Sequence, residues 1–381
     1  MNIAIFDYGI NDANPTGKCS LRVAEALASV ANVTVFSSWF SNPREARIRW
    51  VKVPTLNRPQ ALLFVGYHLM APILYFADRA RRRSRFDHVQ MVESNLSFGD
   101  VCYSHFCHRA YLKHWWKQSP PIGIRRISSW LNHRFHSLAE PWVYQRAKWI
   151  VVPSRGLARE LVSEYPKARG KIHVISNPVD VEMCPPKGFD RSESRSSLGF
   201  LPEDIVMVFV ATGAFERKGL PLLLEAMPQV RHPRLRLLVV GGAHDLVAKY
   251  RLRAAQTGLG KQVVFVGFQR FVCHYLWAAD AFVFPSFYET FSLVSFEAAA
   301  AGLPLLVSQL HGVEEFLRDG ENAILLERTP EGVAEGIRKF LAMSPQARHE
   351  MGERARLDVQ RYSIGNFMAA WRSFYEKLNA A

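Results

Sequence analysis

Residues 281–304 read AFVFPSFYETFSLVSFEAAAAGLP, and this stretch decides the fold. The apolar run at its start is typical of a buried strand. The alanine-rich run further on, closed by Gly302 and Pro304, is typical of a helix that has ended. Glu289 is therefore expected in the loop after the strand, and Glu297 inside the helix, about two turns from its start.

The start of this helix is expected to form an anion site. The backbone N–H groups of Phe291, Ser292 and Leu293 should lack partners within the helix. Such a helix end binds phosphate through these groups and through its dipole. Carboxylates on either side of the phosphate can accept hydrogen bonds from sugar hydroxyls. The stretch thus indicates a site for a sugar diphosphate, flanked by Glu289 and Glu297.

Apolar runs alternate with stretches of helical length along most of the chain, a β-α-β pattern typical of parallel, doubly wound sheets. The predicted strands are 3–6, 33–36, 88–92, 101–104, 150–152, 172–175, 205–211, 235–240, 263–266, 281–284, 305–307 and 323–326. The Pro- and Ser-rich residues 177–200 are interpreted as a linker, and residues 330–380 as helical. The sequence predicts an α/β protein whose two domains face a cleft at the carboxyl ends of both sheets.

The Glu-x7-Glu spacing, with Pro-Ser before it and Ala-Ala-Gly-x-Pro after it, resembles the motif of retaining glycosyltransferases of the GT-B fold, family 4 type (glycosyltransferase group 1). The resemblance implies two Rossmann-like domains: residues 1–180 on the acceptor side and residues 181–355 binding the donor. Residues 356–381 would form a helix crossing back to the first domain. The implied reaction moves a sugar from a nucleotide diphosphate sugar to a hydroxyl. Glu297 would bind the ribose and Glu289 the donor sugar.

A second motif, TGAFERKGL, follows the predicted strand 205–211. Gly213 allows a tight turn, and Arg217 and Lys218 place two positive charges before a helix start. The segment resembles the Arg/Lys-Lys-Gly element of the same family, whose cations stabilise the departing diphosphate. The family's arginine often stands further upstream, where this chain has Gly213, so Lys218 is the firmer candidate. Surface charges before an amphipathic helix are the alternative.

Three further positions are candidates by the same resemblance. Gly17, in the turn NPTGK, stands where the family has a Gly-Gly pair that lets the backbone approach the donor; an ordinary turn glycine is the alternative. His105 follows the strand 101–104 and matches the family's acceptor-side histidine, with a satisfied core histidine as the alternative. Backbone near Val266 and Phe268 is expected to hold the nucleotide base.

No metal and no other cofactor is expected. Cys102, His105, Cys107 and His108 lie close in sequence, but their spacing fits no standard zinc site and no second ligand pair exists. An Asp-x-Asp motif is missing from any suitable place, and cationic side chains would neutralise the diphosphate. The transfer is therefore predicted to be metal-independent.

The net charge of +14 lies mostly in residues 1–180, which hold 25 Lys+Arg against 12 Asp+Glu and seven of the nine Trp. A basic surface with Trp suits an anionic membrane or an anionic acceptor, and no nucleic-acid motif is present. The apolar run 61–77 precedes five arginines and is interrupted by Gly66, His68 and Pro72. It predicts a buried helix with a basic end; a surface-lying segment and a membrane span are the alternatives.

The predicted function is glycosyl transfer to a lipid-linked or polysaccharide acceptor in cell-envelope or exopolysaccharide synthesis. A nucleotide-sugar epimerase of the same fold is the alternative, and a binding protein without turnover is a third interpretation. The five scattered cysteines indicate a reducing compartment. The start MNIAIF is typical of a strand and not of a signal peptide. We therefore expect a cytoplasmic protein, peripherally bound to the inner face of the plasma membrane.

Overall fold

The structure is a computed structural model of the 381-residue chain. It describes residues 1–11, 14–56, 60–83, 85–96, 98–118, 120 and 123–380. The chain divides into two compact units. Unit 1 comprises Met1–Trp116, Gly123–Pro178 and Ile364–Ala381, and unit 2 comprises Lys117–Ile122 and Val179–Ser363.

The strands of unit 1 are β1 (Asn2–Phe6), β2 (Gly9–Ile10), β3 (Asn32–Ser37), β4 (Trp39–Phe40), β5 (Ile48–Lys52), β6 (His88–Val92), β7 (Val101–Tyr103), β8 (Trp149–Val152) and β9 (Ile172–Val174). Seven of them form one parallel sheet in the order β5-β3-β1-β6-β7-β8-β9, and β2 pairs with β4. The order reverses between β1 and β6. In doubly wound sheets a ligand crevice lies at the carboxyl ends of the strands at such a reversal.

The helices of unit 1 that precede residue 178 are α1 (Pro15–Ala28), α2 (Gln60–Arg82), α3 (His108–Ala110), α4 (Ile124–Arg146) and α5 (Arg155–Glu164), with a π-helical turn at Tyr111–Trp115 and a 3-10 turn at Pro166–Ala168. Alternate residues of β1 contribute to different cores: Ile3 and Ile5 pack in one, Ala4 and Phe6 in the other. Both faces of the sheet are therefore covered, which explains why its central strands are continuous apolar runs.

Unit 2 contains the strands β10 (Ile205–Val210), β11 (Leu235–Val240), β12 (Val263–Gly267), β13 (Ala281–Phe284), β14 (Leu305–Val307) and β15 (Ala323–Leu325). They form a parallel sheet in the order β12-β11-β10-β13-β14-β15, which reverses between β10 and β13. The helices are α6 (Arg191–Ser197), α7 (Phe215–Lys218), α8 (Leu220–Val230), α9 (His244–Gln256), α10 (Cys273–Ala278), α11 (Leu293–Ala300), α12 (Pro330–Ala342) and α13 (Pro345–Val359), with 3-10 turns at Val313–Glu315 and Gln360–Tyr362.

The last helix, α14 (Ile364–Ala380), belongs to unit 1. Phe367, Trp371 and Tyr375 are buried in the same core as Ile3 and Ile5. The Tyr375 hydroxyl donates a hydrogen bond to Gln90 Oε1 on β6 at 2.8 Å. Residues far apart along the chain thus complete one core.

All twelve predicted strands are present, each within two residues of its predicted bounds. The interpretation of residues 177–200 as a plain linker is wrong, because α6 lies within it. The side chain of Asp190 caps this helix by accepting from the N–H groups of Ser192 and Glu193, at 2.8 and 3.1 Å. The sequence analysis also missed β5 and the short pair β2–β4.

The apolar run 61–77 lies in α2, and the prediction that this helix is buried holds for only one of its faces. Tyr67 and Ala71 are fully buried. A second stripe on the same helix is half or more exposed, at Val65, Leu69, Ile73 and Phe76. Among the described residues, no helix combines the length and the apolarity needed to cross a bilayer.

Candidate active site

Two loops meet at the reversal of the unit 2 sheet. One loop, residues 211–219, follows β10, and the other, residues 285–292, follows the adjacent strand β13. The Phe287 N–H donates to the Arg217 carbonyl at 2.9 Å, and Ser286 Oγ lies 3.2 Å from the same oxygen. The backbone of one loop therefore fixes the position of the other.

A glycine makes this contact possible. Gly219 has a φ of 84°, and a Cβ atom there would lie 2.2 Å from the Pro285 carbonyl oxygen. A side chain at this position would strain the backbone and also push the loops apart. Gly219 therefore holds the end of α7 against the loop after β13.

An ion pair joins the two loops. Lys218, the last residue of α7, pairs with Glu289, and the two side chains are only 17% and 12% exposed. Ser286 Oγ lies 3.0 Å from Glu289 Oε1, and Lys218 Nζ lies 5.5 Å from the ring centroid of Phe284. Burial lowers the pKa of Lys218 below its ordinary value, and Glu289 opposes that shift. One cation and one carboxylate are thus held, largely buried, at the place where doubly wound sheets bind ligands.

Helix α11 continues from the second of these loops. Within the described part of the chain, no side chain caps its start at Ser292, whose Oγ instead pairs with Ser295 Oγ at 2.9 Å. Two expectations need correction. The Leu293 N–H is not unpaired but donates to the Phe291 carbonyl at 3.0 Å. Glu297 is the fifth residue of the helix, about one turn from its start and not two.

The ends of β11 and β12 form the next part of this edge. The Gly241 N–H donates to the Gly267 carbonyl at 2.7 Å. In the backbone expected to hold the base, the Val266 carbonyl accepts a hydrogen bond from Gln269 Nε2 at 3.0 Å. The Phe268 side chain is 66% exposed. It therefore offers an aromatic face on which a base can stack.

The two glycines predicted to approach the donor differ in their surroundings. A Cβ atom on Gly213 would meet nothing within 4 Å, so the space beside this residue is open to a ligand. A Cβ atom on Gly17 would lie 2.6 Å from the Gly9 carbonyl oxygen and 2.9 Å from that of Asn11. Packing of the first turn of α1 against residues 9–11 is therefore sufficient reason for a glycine at position 17.

His105 lies in unit 1, two residues beyond the end of β7. Its side chain is buried, its ring centroid lies 4.1 Å from that of Tyr103, and burial lowers its pKa to about 4. Its buried Nε2 atom makes no hydrogen bond to any part of the chain that the structure describes. This histidine is therefore neutral near pH 7, and one of its ring nitrogens lacks the partner that a satisfied core histidine would have.

The sequence analysis missed a buried polar cluster at the reversal of the unit 1 sheet. Asp7 follows β1, and its carboxylate accepts from Ser20 Oγ at 3.0 Å and from Asn95 Nδ2 at 3.2 Å. Burial raises the pKa of Asp7 to about 7. Glu93 follows β6 and faces His108. The available signal was the position of Asp7 and Glu93, each directly after a predicted strand.

The structure brings together some of the predicted residues and not others. Those in or directly after the two loops of unit 2 are Gly213, Arg217, Lys218, Glu289, Phe291, Ser292, Leu293 and Glu297. Val266 and Phe268 lie at the end of β12, at the edge of the same sheet. Gly17 and His105 belong to unit 1.

Two family profiles match the chain. The profile described as glycosyl transferases group 1 matches residues 190–358, and the profile described as glycosyltransferase family 4 matches residues 17–183. An uncharacterized glycosyltransferase of Methanocaldococcus jannaschii is 29% identical over 292 residues, covering 72% of this chain and 73% of that protein. A D-inositol 3-phosphate glycosyltransferase of Geodermatophilus obscurus is 31% identical over 268 residues. This match covers 65% of the present chain and 57% of the Geodermatophilus protein.

Solved structures share the fold over the whole chain. Sucrose-phosphate synthase from Thermosynechococcus elongatus superposes with a TM-score of 0.78 at 19% identity, covering 100% of this chain and 99% of that one. The Anabaena protein HepE, solved in complex with UDP, superposes with a TM-score of 0.72 at 18% identity, covering 100% of both chains.

The fold is that of the GT-B glycosyltransferases. The chain belongs to the group 1, family 4-type glycosyltransferases, whose two profiles match its two halves. Nothing in these comparisons favours the epimerase alternative.

Proposed function

We propose that this protein moves a hexose from a nucleoside diphosphate sugar to a hydroxyl of a lipid-linked or polysaccharide acceptor. The anomeric configuration is retained, and no metal ion is needed at the diphosphate. The observation that carries the proposal is the Lys218–Glu289 pair at the reversal of the unit 2 sheet, beside the start of α11.

The proposed chemistry depends on charge. As the glycosidic bond breaks, negative charge grows on the diphosphate while the sugar becomes oxocarbenium-like. Lys218 and Arg217 would stabilise the diphosphate, and each preorganised contact of this kind is typically worth about 3 kcal/mol. The departing phosphate would take the proton of the acceptor hydroxyl. Glu289 and Glu297 would accept hydrogen bonds from the donor sugar and the ribose.

The ion pair suggests how the site is kept ready without a donor. A buried ammonium without a counter-charge is unfavourable, and Glu289 supplies that charge. When a diphosphate binds, its oxygens can supply part of the negative charge that faces Lys218. Lone pairs of the Glu289 carboxylate are then available to accept hydrogen bonds from sugar hydroxyls. The exposed Phe268 would stack on the base. The complex of HepE with UDP supports a nucleotide sugar as the donor.

The test is a donor screen followed by matched variants. UDP-, GDP- and ADP-sugars are added in a thermal-shift assay, because a true ligand raises the unfolding temperature by mass action. Lys218→Met is expected to lower turnover by more than tenfold. Lys339→Met is the matched control, since Lys339 is an exposed residue of α12, outside both loops.

Wild-type turnover in the Lys218 variant would contradict the proposal. Full activity in excess EDTA is expected, and a loss of transfer that Mg²⁺ or Mn²⁺ restores but Zn²⁺ does not would refute metal independence at the diphosphate. Proton NMR of the first-formed product tests retention, and an inverted anomer would refute it. If the donor is hydrolysed or isomerised as fast without an acceptor as with one, the epimerase alternative is favoured.

We further propose that unit 1 docks on an anionic membrane. The exposed stripe of α2 is matched on α4 by Ile127, Trp130, Leu131, Leu138 and Trp142, which are 42–64% exposed. The two helices are neighbours, since the rings of Phe64 and Phe135 stack with centroids 6.2 Å apart. Arg79, Arg81 and Arg82 stand in the last turn of α2. Apolar side chains beside arginines suit insertion at an anionic interface.

Vesicle co-sedimentation tests this surface. Leu69→Ser combined with Ile73→Ser is expected to reduce binding to anionic vesicles several-fold. The control is Leu252→Ser with Leu357→Ser, because these leucines of unit 2 are equally exposed, at 60% and 64%. Equal binding of the wild type to neutral and anionic vesicles would remove the proposal, as would equal losses in both pairs of variants.

A further inference from the structure

Three side chains that can bind metal converge in unit 1, near the reversal of its sheet. They are Glu93 after β6, His108 at the start of α3, and His136 on α4. One ligand atom from each lies within 4.8 Å of the other two. His108 Nε2 is 3.7 Å from Glu93 Oε2, and the rings of His108 and His136 stack with centroids 4.5 Å apart.

The nitrogen that faces Glu93 has no partner of its own. The His108 side chain is 8% exposed, and its Nε2 atom makes no hydrogen bond within the described residues. The carboxylate oxygen opposite it is beyond hydrogen-bonding distance. Buried polar atoms are nearly always satisfied, so this gap indicates a missing group between the imidazole and the carboxylate. A cation would satisfy both.

The outer ring nitrogens are already held. His136 Nδ1 lies 2.5 Å from Ser94 Oγ, and His108 Nδ1 lies 2.9 Å from His133 Nδ1. When both Nδ1 atoms carry the proton, each Nε2 atom keeps the lone pair that a metal requires. Metal-binding histidines typically donate their other N–H to a fixed partner, which orients the ring.

The backbone at Glu93 adds an independent observation. This residue has a φ of 50°, in the left-handed region that a non-glycine residue seldom adopts. Its N–H donates to the Tyr103 carbonyl at 2.9 Å, which holds the unusual conformation. Strained residues at strand ends are concentrated at binding and catalytic sites. The Glu93 side chain is 22% exposed, so solvent can reach the cluster of Glu93, His108 and His136 from the side of this carboxylate.

We propose that Glu93, His108 and His136 form a site for a divalent transition metal, with Zn²⁺ the best match. Two imidazoles and a carboxylate are zinc ligands, and this set leaves a fourth position for water. In a tetrahedral site, ligand atoms about 2.0–2.1 Å from the metal stand about 3.4 Å from one another. The separation of 3.7 Å between His108 and Glu93 therefore needs a small adjustment, and the widest separation in the group, at most 4.8 Å, needs an approach of up to about 1.4 Å.

The metal would tie β6, α3 and α4 together within unit 1. The expectation of no metal considered only Cys102, His105, Cys107 and His108, which lie close together in sequence. The ligands lie far apart along the chain, so spacing alone did not reveal them. The Lys218–Glu289 pair, which carries the proposed reaction, belongs to unit 2, so this inference does not depend on that reaction.

The experiment measures metal binding and not activity. Full-length protein without a histidine tag is stripped with a chelator, dialysed and titrated with Zn²⁺ by calorimetry, and metal content is measured by mass spectrometry. We expect one equivalent of Zn²⁺ per chain and a higher unfolding temperature when Zn²⁺ is in excess. With Co²⁺ in its place, we expect the visible absorption of a tetrahedral ion.

Variants assign the binding to these residues. Glu93→Gln keeps the size of the side chain, and His136→Gln keeps its ability to form hydrogen bonds. Both substitutions are expected to abolish uptake of Zn²⁺. Ser94→Ala, which removes only the outer partner of His136, should weaken affinity by about tenfold or more. His114→Ala is the matched control, because His114 is 50% exposed and pairs with Glu164. Circular dichroism verifies that each variant is folded.

Failure of the wild type to bind Zn²⁺ would overturn the proposal. So would uptake that Glu93→Gln leaves unchanged, because the bound ion would then be held by other histidines. If His136→Gln fails to fold, the Glu93→Gln and Ser94→Ala titrations decide the matter, since these two substitutions do not remove an aromatic ring.

Discussion

The Lys218–Glu289 pair gives a double-mutant cycle with an asymmetric outcome. Lys218→Met and Glu289→Gln remove one charge each with little change of volume. Two unit charges about 3 Å apart attract by about 5 kcal/mol at an effective dielectric constant of 20. Burial nevertheless lowers the pKa of Lys218 despite this attraction, so desolvation of the ammonium is the larger effect.

The cost of each substitution follows from what is left behind. Glu289→Gln leaves a largely buried ammonium beside Arg217. We expect the free energy of unfolding of unit 2 to fall by about 3 kcal/mol. This value is at the low end of the range for a broken buried ion pair, because the Lys218 side chain is still 17% exposed. Lys218→Met leaves a carboxylate that keeps Ser286 as a partner, so the expected loss is about 1–2 kcal/mol. The double variant should be within about 1 kcal/mol of the wild type.

The assay must report on unit 2 alone, because a chain of two units need not unfold in one step. Hydrogen-exchange mass spectrometry in urea, read on peptides from β10 and β11, gives the free energy of unfolding of this sheet. Lys339→Met, at an exposed position of α12, should change this free energy by about 0.5 kcal/mol or less. A double variant whose loss equals the sum of the single losses would refute the reasoning, since the two charges would then not interact.

Three other predictions concern stability. Gly219→Ala should cost more than about 2 kcal/mol in urea unfolding, because of its φ of 84° and its close contact, whereas Gly213→Ala, with open space, should be within about 0.5 kcal/mol of the wild type; equal losses would contradict this. Burial raises the pKa of Asp7 to about 7 in the folded chain. Its contribution to the free energy of unfolding is therefore fully present below the pKa of an unfolded aspartate, and it is lost as the pH rises through about 7. Relative to Asp7→Asn, the wild type should therefore lose about 2–3 kcal/mol between pH 5 and pH 7, and a constant difference would show that the carboxyl titrates normally. Tyr375→Phe should cost about 1–3 kcal/mol in the unfolding of unit 1, since Gln90 loses its buried donor, and an unchanged midpoint would show that this hydrogen bond contributes nothing.

The sheets were predictable because parallel strands covered on both faces are continuous apolar runs. β10, with the sequence IVMVFV, is of this kind. β5 has the sequence IRWVK and lies at the edge of its sheet. Only its first residue is buried, so it lacks the continuous apolar run by which the central strands were predicted. α6 was missed because its Ser- and Arg-rich sequence is typical of a linker. Tertiary contacts hold it, including an ion pair of 2.6 Å between Arg195 and Asp280.

The candidate site residues of unit 2 were predicted because they stand in, or directly after, loops that follow predicted strands. Their pairing was not predictable, since it depends on β10 and β13 being neighbours in the sheet. His136 gave no signal at all: it lies in the middle of a long helix, and only the packing of α4 brings it to Glu93. Spacing along the chain predicts chemistry within one loop, and it fails where separate elements supply the groups.

The membership of α14 in unit 1 has a consequence for biosynthesis. The core around Ile3 and Ile5 lacks Trp371 and Tyr375 until residues 364–380 have emerged from the ribosome. Unit 2 consists almost entirely of one continuous segment, Val179–Ser363, and can complete its own core earlier. The amino-terminal sheet therefore keeps the part of this apolar face that α14 covers exposed during translation, although α1 already covers the rest, and we expect this surface to favour aggregation of the nascent chain.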